Sequence, residues 1–383
     1  MKTYIVIGAG ILGASTAYHL AKSGENVILM DRQDPGQATE AAAGIVCPWL
    51  SQRRNKAWYS LAKNGAKYYA ELIPQLERDA EADTGYKKVG AISIHTDEAK
   101  LAKMEERVHK RREDAPEIGD IQQLSGKATN ELFPPLSADY SSVQVSGAAR
   151  VNGKLLRKAL IQGAEKYGAT VIHGEASIAM NERIIIGAKV NGELYKAEKV
   201  IVTAGVWAKE LFKPLGIDFH VTAQKAQIIH LHLPDTETDD WPVVQPPNNQ
   251  YILTFDKGKV VVGATHEDEH NFDTRVTAGG LHEVLHKALT SAPGLEHSTV
   301  TDTKVGFRPF TPGFLPVIGQ LPGYAGLLAA NGLGASGLTT GPFLGAQLAK
   351  LAKEEELDID LSLYDIGQAA ESCEPISELD SYL

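Results

Sequence analysis

The chain has 383 residues, 43% hydrophobic and 22% charged, and its 48 Asp and Glu outweigh 38 Lys and Arg to give a formal net charge of −10. This is the composition of a globular protein long enough for two domains, and its acidic balance argues against nucleic acid or an anionic membrane as the main partner. The two cysteines, Cys47 and Cys373, stand far apart without a CxxC pair, which excludes a disulfide framework or a zinc site.

The chain opens on the apolar run Tyr4 to Ile7, followed by Gly8-Ala9-Gly10-Ile11-Leu12-Gly13. Ala14 to Lys22 continues as a helix former, Ser23-Gly24 stops it, and Asn26 to Met30 is a second buried strand that delivers Asp31. Strand, glycine turn, helix, strand and acid fall in the register of a dinucleotide-binding βαβ unit. Gly8 makes the tight turn, Gly10 admits a pyrophosphate, Gly13 lets helix and strand pack, and Asp31 can accept ribose hydroxyls. The motif serves NAD and FAD alike. Because the stretch runs directly into the first strand, it does not read as a signal peptide. No later run approaches the roughly twenty apolar residues of a membrane span, so a cytoplasmic location is expected.

After the turn at Arg32 to Gly36 comes a run of small residues, Gln37 to Val46, read as a loop lying along a cofactor. Lys56 to Ala82 is predicted as a long helix with a break near Pro74, Gly90 to His95 as a strand, and Asp97 to Arg112 as a polar helix. The apolar side of that helix is Leu101, Met104 and Val108, and its basic end, His109 to Arg112, reads as a solvated face. This stretch lacks βαβ rhythm and is expected to belong to another domain. The rhythm returns with a helix at Lys154 to Tyr167, a strand at Thr170 to Gly174, and a hairpin turning at Asn191-Gly192. A buried strand then ends in Thr203-Ala204-Gly205.

His220 to Leu233 and Gln250 to Thr265 alternate like strands of an antiparallel sheet; His230 and His232 share a face, but no third metal ligand accompanies them. Gly306 to Gly319 is so rich in proline that irregular structure is expected. The strand Gly326 to Ala330, a glycine-rich turn and a helix from Leu338 to Glu354 then repeat the N-terminal geometry, which points to a long cofactor gripped at both ends. The acidic tail after Asp365 is expected to fray.

Taken together, the glycine turn with Asp31, the Thr39 to Gly44 loop, Ala149-Arg150-Val151, Thr203-Ala204-Gly205, Gly306-Phe307-Arg308-Pro309 leading to Pro316-Val317-Ile318-Gly319, and the Gly332 to Thr340 turn resemble the D-amino acid oxidase superfamily of flavoproteins. The resemblance spans almost the whole chain. It implies an α/β fold: a Rossmann-type FAD-binding domain (1–85, 143–218 and 302–383) interleaved with an antiparallel-sheet substrate domain (86–142 and 219–301). It implies noncovalent FAD, since no cysteine stands near Arg308 where relatives with a covalent flavin carry one. The cofactor contacts it implies are Gly8, Gly10, Ile11, Leu12 and Gly13 at the pyrophosphate, with Asp31 and Arg32 toward the ribose and Val151 toward the adenine. Thr39, Ala42, Ala43, Gly44, Thr203, Ala204 and Gly205 lie along it, and Gly332, Gly334, Ala335, Ser336, Gly337, Leu338 and Thr339 meet the flavin ring. Two departures stand out: Glu40 replaces a common serine, and Gln224 to Gln227 replaces an arginine-glycine-glutamine run.

For chemistry the resemblance implies hydride transfer from a substrate α-carbon to flavin N5, giving an imino acid that water converts to a keto acid and ammonia. Arg308 matches the family's carboxylate anchor and Tyr251 a substrate-contacting tyrosine; His266, in Gly263-Ala264-Thr265-His266, is a further candidate at the border of the site, the alternative being a hydrogen-bonded loop histidine. The implied substrate is a small D-amino acid, glycine or an N-methyl glycine, with oxygen or a quinone as acceptor; a homo-oligomer is compatible with this reading. Two alternatives stay open: a 2-hydroxy acid dehydrogenase using the same arginine, and a flavin-binding redox module without turnover.

Overall fold

The apolar run Thr3–Ile7 lies in the interior of a six-stranded sheet in the order Val317–Gln320, Leu327–Asn331, Lys199–Val202, Thr3–Ile7, Asn26–Asp31, Thr170–His173. Its neighbours run parallel to it, and only Val317–Gln320 at one edge is antiparallel. The architecture comes from a computed structural model that describes residues 1–269 and 271–372. Central strands of such a sheet are covered on both faces, which is why Tyr4 to Ile7 reads as a continuous apolar run rather than alternating. One face carries the helices Ile11–Lys22, Lys56–Ala80, Gly153–Lys166 and Gly337–Lys353. On the other, Ile5, Ile7 and Met30 share a core with the hairpin sheet Ala176–Asn181, Ile184–Val190, Glu193–Lys196. That hairpin turns at Asn191-Gly192 with φ of 53° and 84°, the positive values a type I′ turn requires.

The second sheet has nine strands, in the order Glu267–Glu269, Thr222–His232, Lys259–Gly263, Tyr251–Thr254, Val243–Gln245, Ala91–His95, Ser141–Val145, Ile121–Leu124, with Thr299–Phe310 also paired to Thr222–His232. Two stretches far apart in sequence thus build one sheet, and Val243–Gln245 joins them by pairing in parallel with Ala91–His95. Ser141–Val145 and Thr299–Phe310 lie wholly in this sheet, so the expected seams at 143 and 302 run through strands.

Three expectations are corrected. Gly306 to Gly319 is not irregular throughout: Thr299–Phe310 is a twelve-residue strand and Val317–Gln320 another. Thr299–Phe310 pairs along its length only with Thr222–His232; on the other side the pairing is confined to Phe307, which bridges Gln37 and donates its N–H to the Gly36 carbonyl at 2.9 Å, so Pro309 beyond it faces no continuous ladder that its missing N–H would break. Pro74 does not break its helix, which runs continuously from Lys56 to Ala80. The tail beyond Asp365 is ordered as far as Ser372, where Ala370–Ser372 pairs with Ile217–Phe219. Residues 373–383, including Cys373, lie outside the described residues.

Pro342 sits inside the helix Gly337–Lys353 and cannot donate to the Leu338 carbonyl one turn earlier. The buried Tyr69 hydroxyl donates to that carbonyl instead, at 2.6 Å. Gly65, one turn before Tyr69, brings the helices this close: a Cβ there would lie 2.2 Å from the Thr339 oxygen. Tyr69→Phe therefore leaves a buried carbonyl unpaired and should cost about 1–3 kcal/mol, read as a lower melting temperature with secondary structure retained in circular dichroism.

Candidate active site

The carboxyl ends of the parallel strands open on a cavity of about 1070 Å³ that continues to the nine-stranded sheet. Of the residues expected at a cofactor, Gly8, Gly10, Ile11, Leu12, Asp31, Arg32, Thr39, Ala42, Ala43, Gly44, Thr203, Ala204, Gly205, Gly332, Gly334, Ala335, Ser336, Gly337, Leu338 and Thr339 line it, as do Arg308, Tyr251 and His266. Gly13 and Val151 do not. Gly13 lies behind the turn, where a Cβ would come within 1.8 Å of the Gly8 carbonyl oxygen. Val151 is fully buried and its N–H donates to the Gly44 carbonyl at 2.8 Å, so it holds the small-residue loop rather than facing the cavity. At the far end Gly174, Glu175 and Ala176 line the cavity instead. Their signal in the sequence was the strand Thr170–His173, which pairs beside Asp31.

Two long helices begin on this cavity, and neither has a side-chain cap of its own: Ile11–Lys22 starts after Gly10 and Gly337–Lys353 after Ser336. Five other helices are capped by their own Asn55, Asp97, Ser125, Asn152 and Thr277. Ser336 could cap in principle, but its hydroxyl accepts from Trp58 Nε1 at 3.0 Å. At the other helix only the Ile11 N–H is met, by the Thr39 hydroxyl at 3.0 Å. An uncapped helix N-terminus presents N–H groups and positive potential to an anion or an electron-rich ring.

The glycines make the same point. Gly8, at φ +102°, is held by the Thr203 backbone 2.7 Å from where a Cβ would stand. Gly10 is under no such constraint: its backbone suits any residue, and a Cβ would meet only Thr39 Oγ1 at 3.5 Å. Gly337 is equally free, with only Leu333 Cβ at 3.9 Å. Packing within the chain does not require glycine at either position, whereas a ligand lying across both helix starts does. These features fit a dinucleotide held at its pyrophosphate by one helix and at its ring by the other.

The charges in the cavity are segregated. All its carboxylates, Asp31, Asp34, Glu175 and Glu210, lie at one end. Arg32 is spent on three of them, bonding Asp34 at 2.8 Å, Glu175 at 3.0 Å and Glu210 at 3.1 Å, so its guanidinium is not free for a phosphate. Asp31 accepts from Ala9 N–H at 2.6 Å, Gln33 N–H at 2.6 Å and Gln37 Nε2 at 2.9 Å. Of about four lone-pair directions on a carboxylate, one is left for a ribose hydroxyl rather than two. Glu40, the unusual acid of the small-residue loop, bonds Arg157 at 2.8 Å, and Arg157 Nε donates to the Ala9 carbonyl, tying loop and glycine turn together.

Cations occupy the other end. Arg308 stands opposite Gln224 in the strand register and donates Nη1 to Gln224 Oε1 at 3.1 Å, so the glutamine that departs from the family run positions the arginine. Its remaining polar partner is the Tyr251 hydroxyl, and no carboxylate pairs with it among the described residues. Burial pulls the guanidinium below its usual range, Tyr251 opposing. Burial pushes the Tyr251 phenol upward against the pull of Arg308, so it stays protonated. Burial, then the Arg308 charge, pushes the His266 imidazole below its ordinary value, leaving it neutral near pH 7. The basic cluster is not simply solvated: Arg111 donates to the Ser51 carbonyl at 2.7 Å and lies 4.4 Å over the Tyr59 ring.

Two uncapped helix starts suited to a dinucleotide, beside a half-buried arginine with no acidic partner among the described residues, define the class: a two-sheet α/β dinucleotide-binding protein. Residues 3–351 match the DAO family of FAD-dependent oxidoreductases, and the chain belongs to that family. It is 63% identical over 366 residues to an uncharacterised oxidoreductase, YurR, of Bacillus subtilis, covering 95% of this chain and 98% of that protein. The crystal structure of iminodiacetate oxidase from Chelativorans sp. BNC1 superposes with a TM-score of 0.92 at 45% identity, covering 94% of this chain and 98% of that one. Glycine oxidase of Pseudomonas aeruginosa is 28% identical over 94% of this chain and 97% of its own length. The cofactor is FAD. Among the described residues no helix is long and apolar enough to cross a membrane.

Because nothing in the chain crowds Gly10, Gly10→Val should fold with unchanged circular dichroism yet lose flavin. The expected drop in FAD affinity is at least about tenfold, or 1.4 kcal/mol, read as flavin absorbance per protein after dialysis. Full occupancy would remove Gly10 from the cofactor site.

Proposed function

We propose that the protein oxidises the C–N bond of a small amino acid, glycine or an N-substituted glycine, yielding an oxo acid and the released amine or ammonia. The observation that carries this reading is Arg308, a guanidinium facing the cavity with no acidic partner among the described residues. The names of two relatives, glycine oxidase and iminodiacetate oxidase, support it. Bound FAD supplies the two-electron acceptor that takes the α-hydrogen with its electron pair; water then adds to the imine carbon and the C–N bond breaks. The chain's own work is positioning. Arg308 takes the substrate carboxylate through two parallel N–H···O bonds, and Gln224 fixes the plane of the fork. Tyr251, whose hydroxyl stays protonated beside Arg308, can donate its O–H to the same carboxylate. His266, neutral beside Arg308, offers a lone pair rather than a like charge to the substrate nitrogen.

The test is anaerobic mixing with glycine, sarcosine, iminodiacetate, D-alanine and L-alanine while flavin absorption is followed, since bleaching reports oxidation whatever the final acceptor. Truncating one partner of a buried charged pair costs about 2–5 kcal/mol, so Arg308→Met should lower kcat/KM per bound flavin by roughly 30- to 4000-fold. Arg308→Lys should recover only part, because lysine restores the charge without the planar fork. Near-normal kinetics per flavin in Arg308→Met would remove it as the anchor, and bleaching by lactate but by no amine would favour 2-hydroxy acid oxidation.

A further inference from the structure

Three arginines line the cavity: Arg308 is assigned to the substrate carboxylate, Arg32 is spent on carboxylates, and Arg107 is left without a role. Arg107, on the helix Glu98–Arg112, is half-buried and faces the same space as Arg308. Its Nε is buried with no hydrogen-bond partner, and its Nη2 rests 2.7 Å from the Met104 sulfur, a weak acceptor. No carboxylate pairs with it among the described residues. The nearby glutamate Glu105 turns instead toward His109, at 3.9 Å. Leaving a buried guanidinium N–H unmet is costly, and the usual compensation is an anion.

The surroundings agree. Every carboxylate lining the cavity belongs to the cluster around Arg32 and the neighbouring Asp31, whereas Lys100 and Lys103 of the same helix line the cavity with Arg107. A substrate with one carboxylate satisfies Arg308 and leaves Arg107 unmet. One with a second carboxylate satisfies both, and the two exposed lysines add attraction at the rim without fixing orientation.

We propose that Arg107 forms a second carboxylate subsite and that the substrate class is a dicarboxylic amine, with one carboxylate on Arg308 beside the reacting carbon and the other on Arg107. The proposal rests on the amine-oxidation reading for its chemistry, but its geometry stands on Arg107 alone. Arg107 acts as a specificity residue: it reads the distal end of the substrate and takes no part in breaking the C–H bond.

The experiment uses the flavin-loaded protein and three probes: iminodiacetate, its isosteric monoamide N-(carbamoylmethyl)glycine, and the shorter sarcosine, which lacks the distal group. Two readouts are taken, anaerobic flavin reduction and perturbation of the flavin spectrum on binding. The wild type should favour iminodiacetate over the monoamide in kcat/KM by about 10- to 100-fold, the worth of one charge-assisted pair. Arg107→Gln should collapse that ratio toward one, and Arg107→Lys should restore part of it, with melting curves showing that both variants are folded. A ratio near one in the wild type, or an unchanged ratio in Arg107→Gln, overturns the subsite while leaving amine oxidation standing. If none of the three probes reduces the flavin, amine oxidation of this class falls, and binding decides the subsite. Tighter binding of iminodiacetate than of the monoamide, lost in Arg107→Gln, then supports it, and equal binding overturns it.

Discussion

The site depends on the contact between the two helices that open onto it. Ile11–Lys22 and Gly337–Lys353 cross where Gly345 meets Ser15, with a Cβ at Gly345 falling only 2.6 Å from the Ser15 Cβ, and the Ser15 hydroxyl donates to the Pro342 carbonyl at 2.7 Å. This fixes two uncapped N-termini, from opposite ends of the chain, in one rigid frame. Each leaves N–H groups that want an anion or an electron-rich ring, and neither is satisfied by its own side chains. Pro342 would weaken the second helix at its first turns, and Tyr69 restores the lost bond from a third helix.

That frame also sets where the chemistry occurs. Asn331, at the end of Leu327–Asn331, donates to the Gly205 carbonyl at 2.8 Å and accepts from the Gly332 N–H at 2.7 Å, so two glycine turns are locked side by side. Phe310 and Thr311 pack against Gly334 and Gly332, which ties the strand carrying Arg308 to the glycine turn that lines the cavity. The guanidinium is thereby held on a strand rather than a loop. Its unpaired charge is tolerable because Gln224 and Tyr251 solvate it from within the sheet.

What the sequence disclosed follows from range. Gly8 to Asp31 is a local signal, complete within one βαβ unit, and its strand, turn and helix lie where the residues indicate. Leu101, Met104 and Val108 are the buried side of their helix, as helical spacing requires. Arg308 was legible through resemblance, but its partner Gln224 lies 84 residues away and meets it only through strand register. Arg107 was hidden because a polar helix face shows no sign of what it will face. Proline content misled at Thr299–Phe310, since sequence does not announce that a strand is continuously paired on one side and only at Phe307 on the other. Asp31 was placed correctly, yet its three N–H donors come partly from the loop that follows and could not be counted beforehand.

The proposed chemistry requires an anion site, built by Arg308, against the bound flavin. The most direct measurement is a titration of the flavin-loaded protein with methoxyacetate, a carboxylate with no amine to oxidise, followed by flavin absorption. In the wild type the spectrum should shift and saturate, and in Arg308→Met the Kd should rise at least about tenfold, or 1.4 kcal/mol. The same Kd in both proteins, or no spectral response in the wild type, would contradict an arginine-held carboxylate beside the flavin.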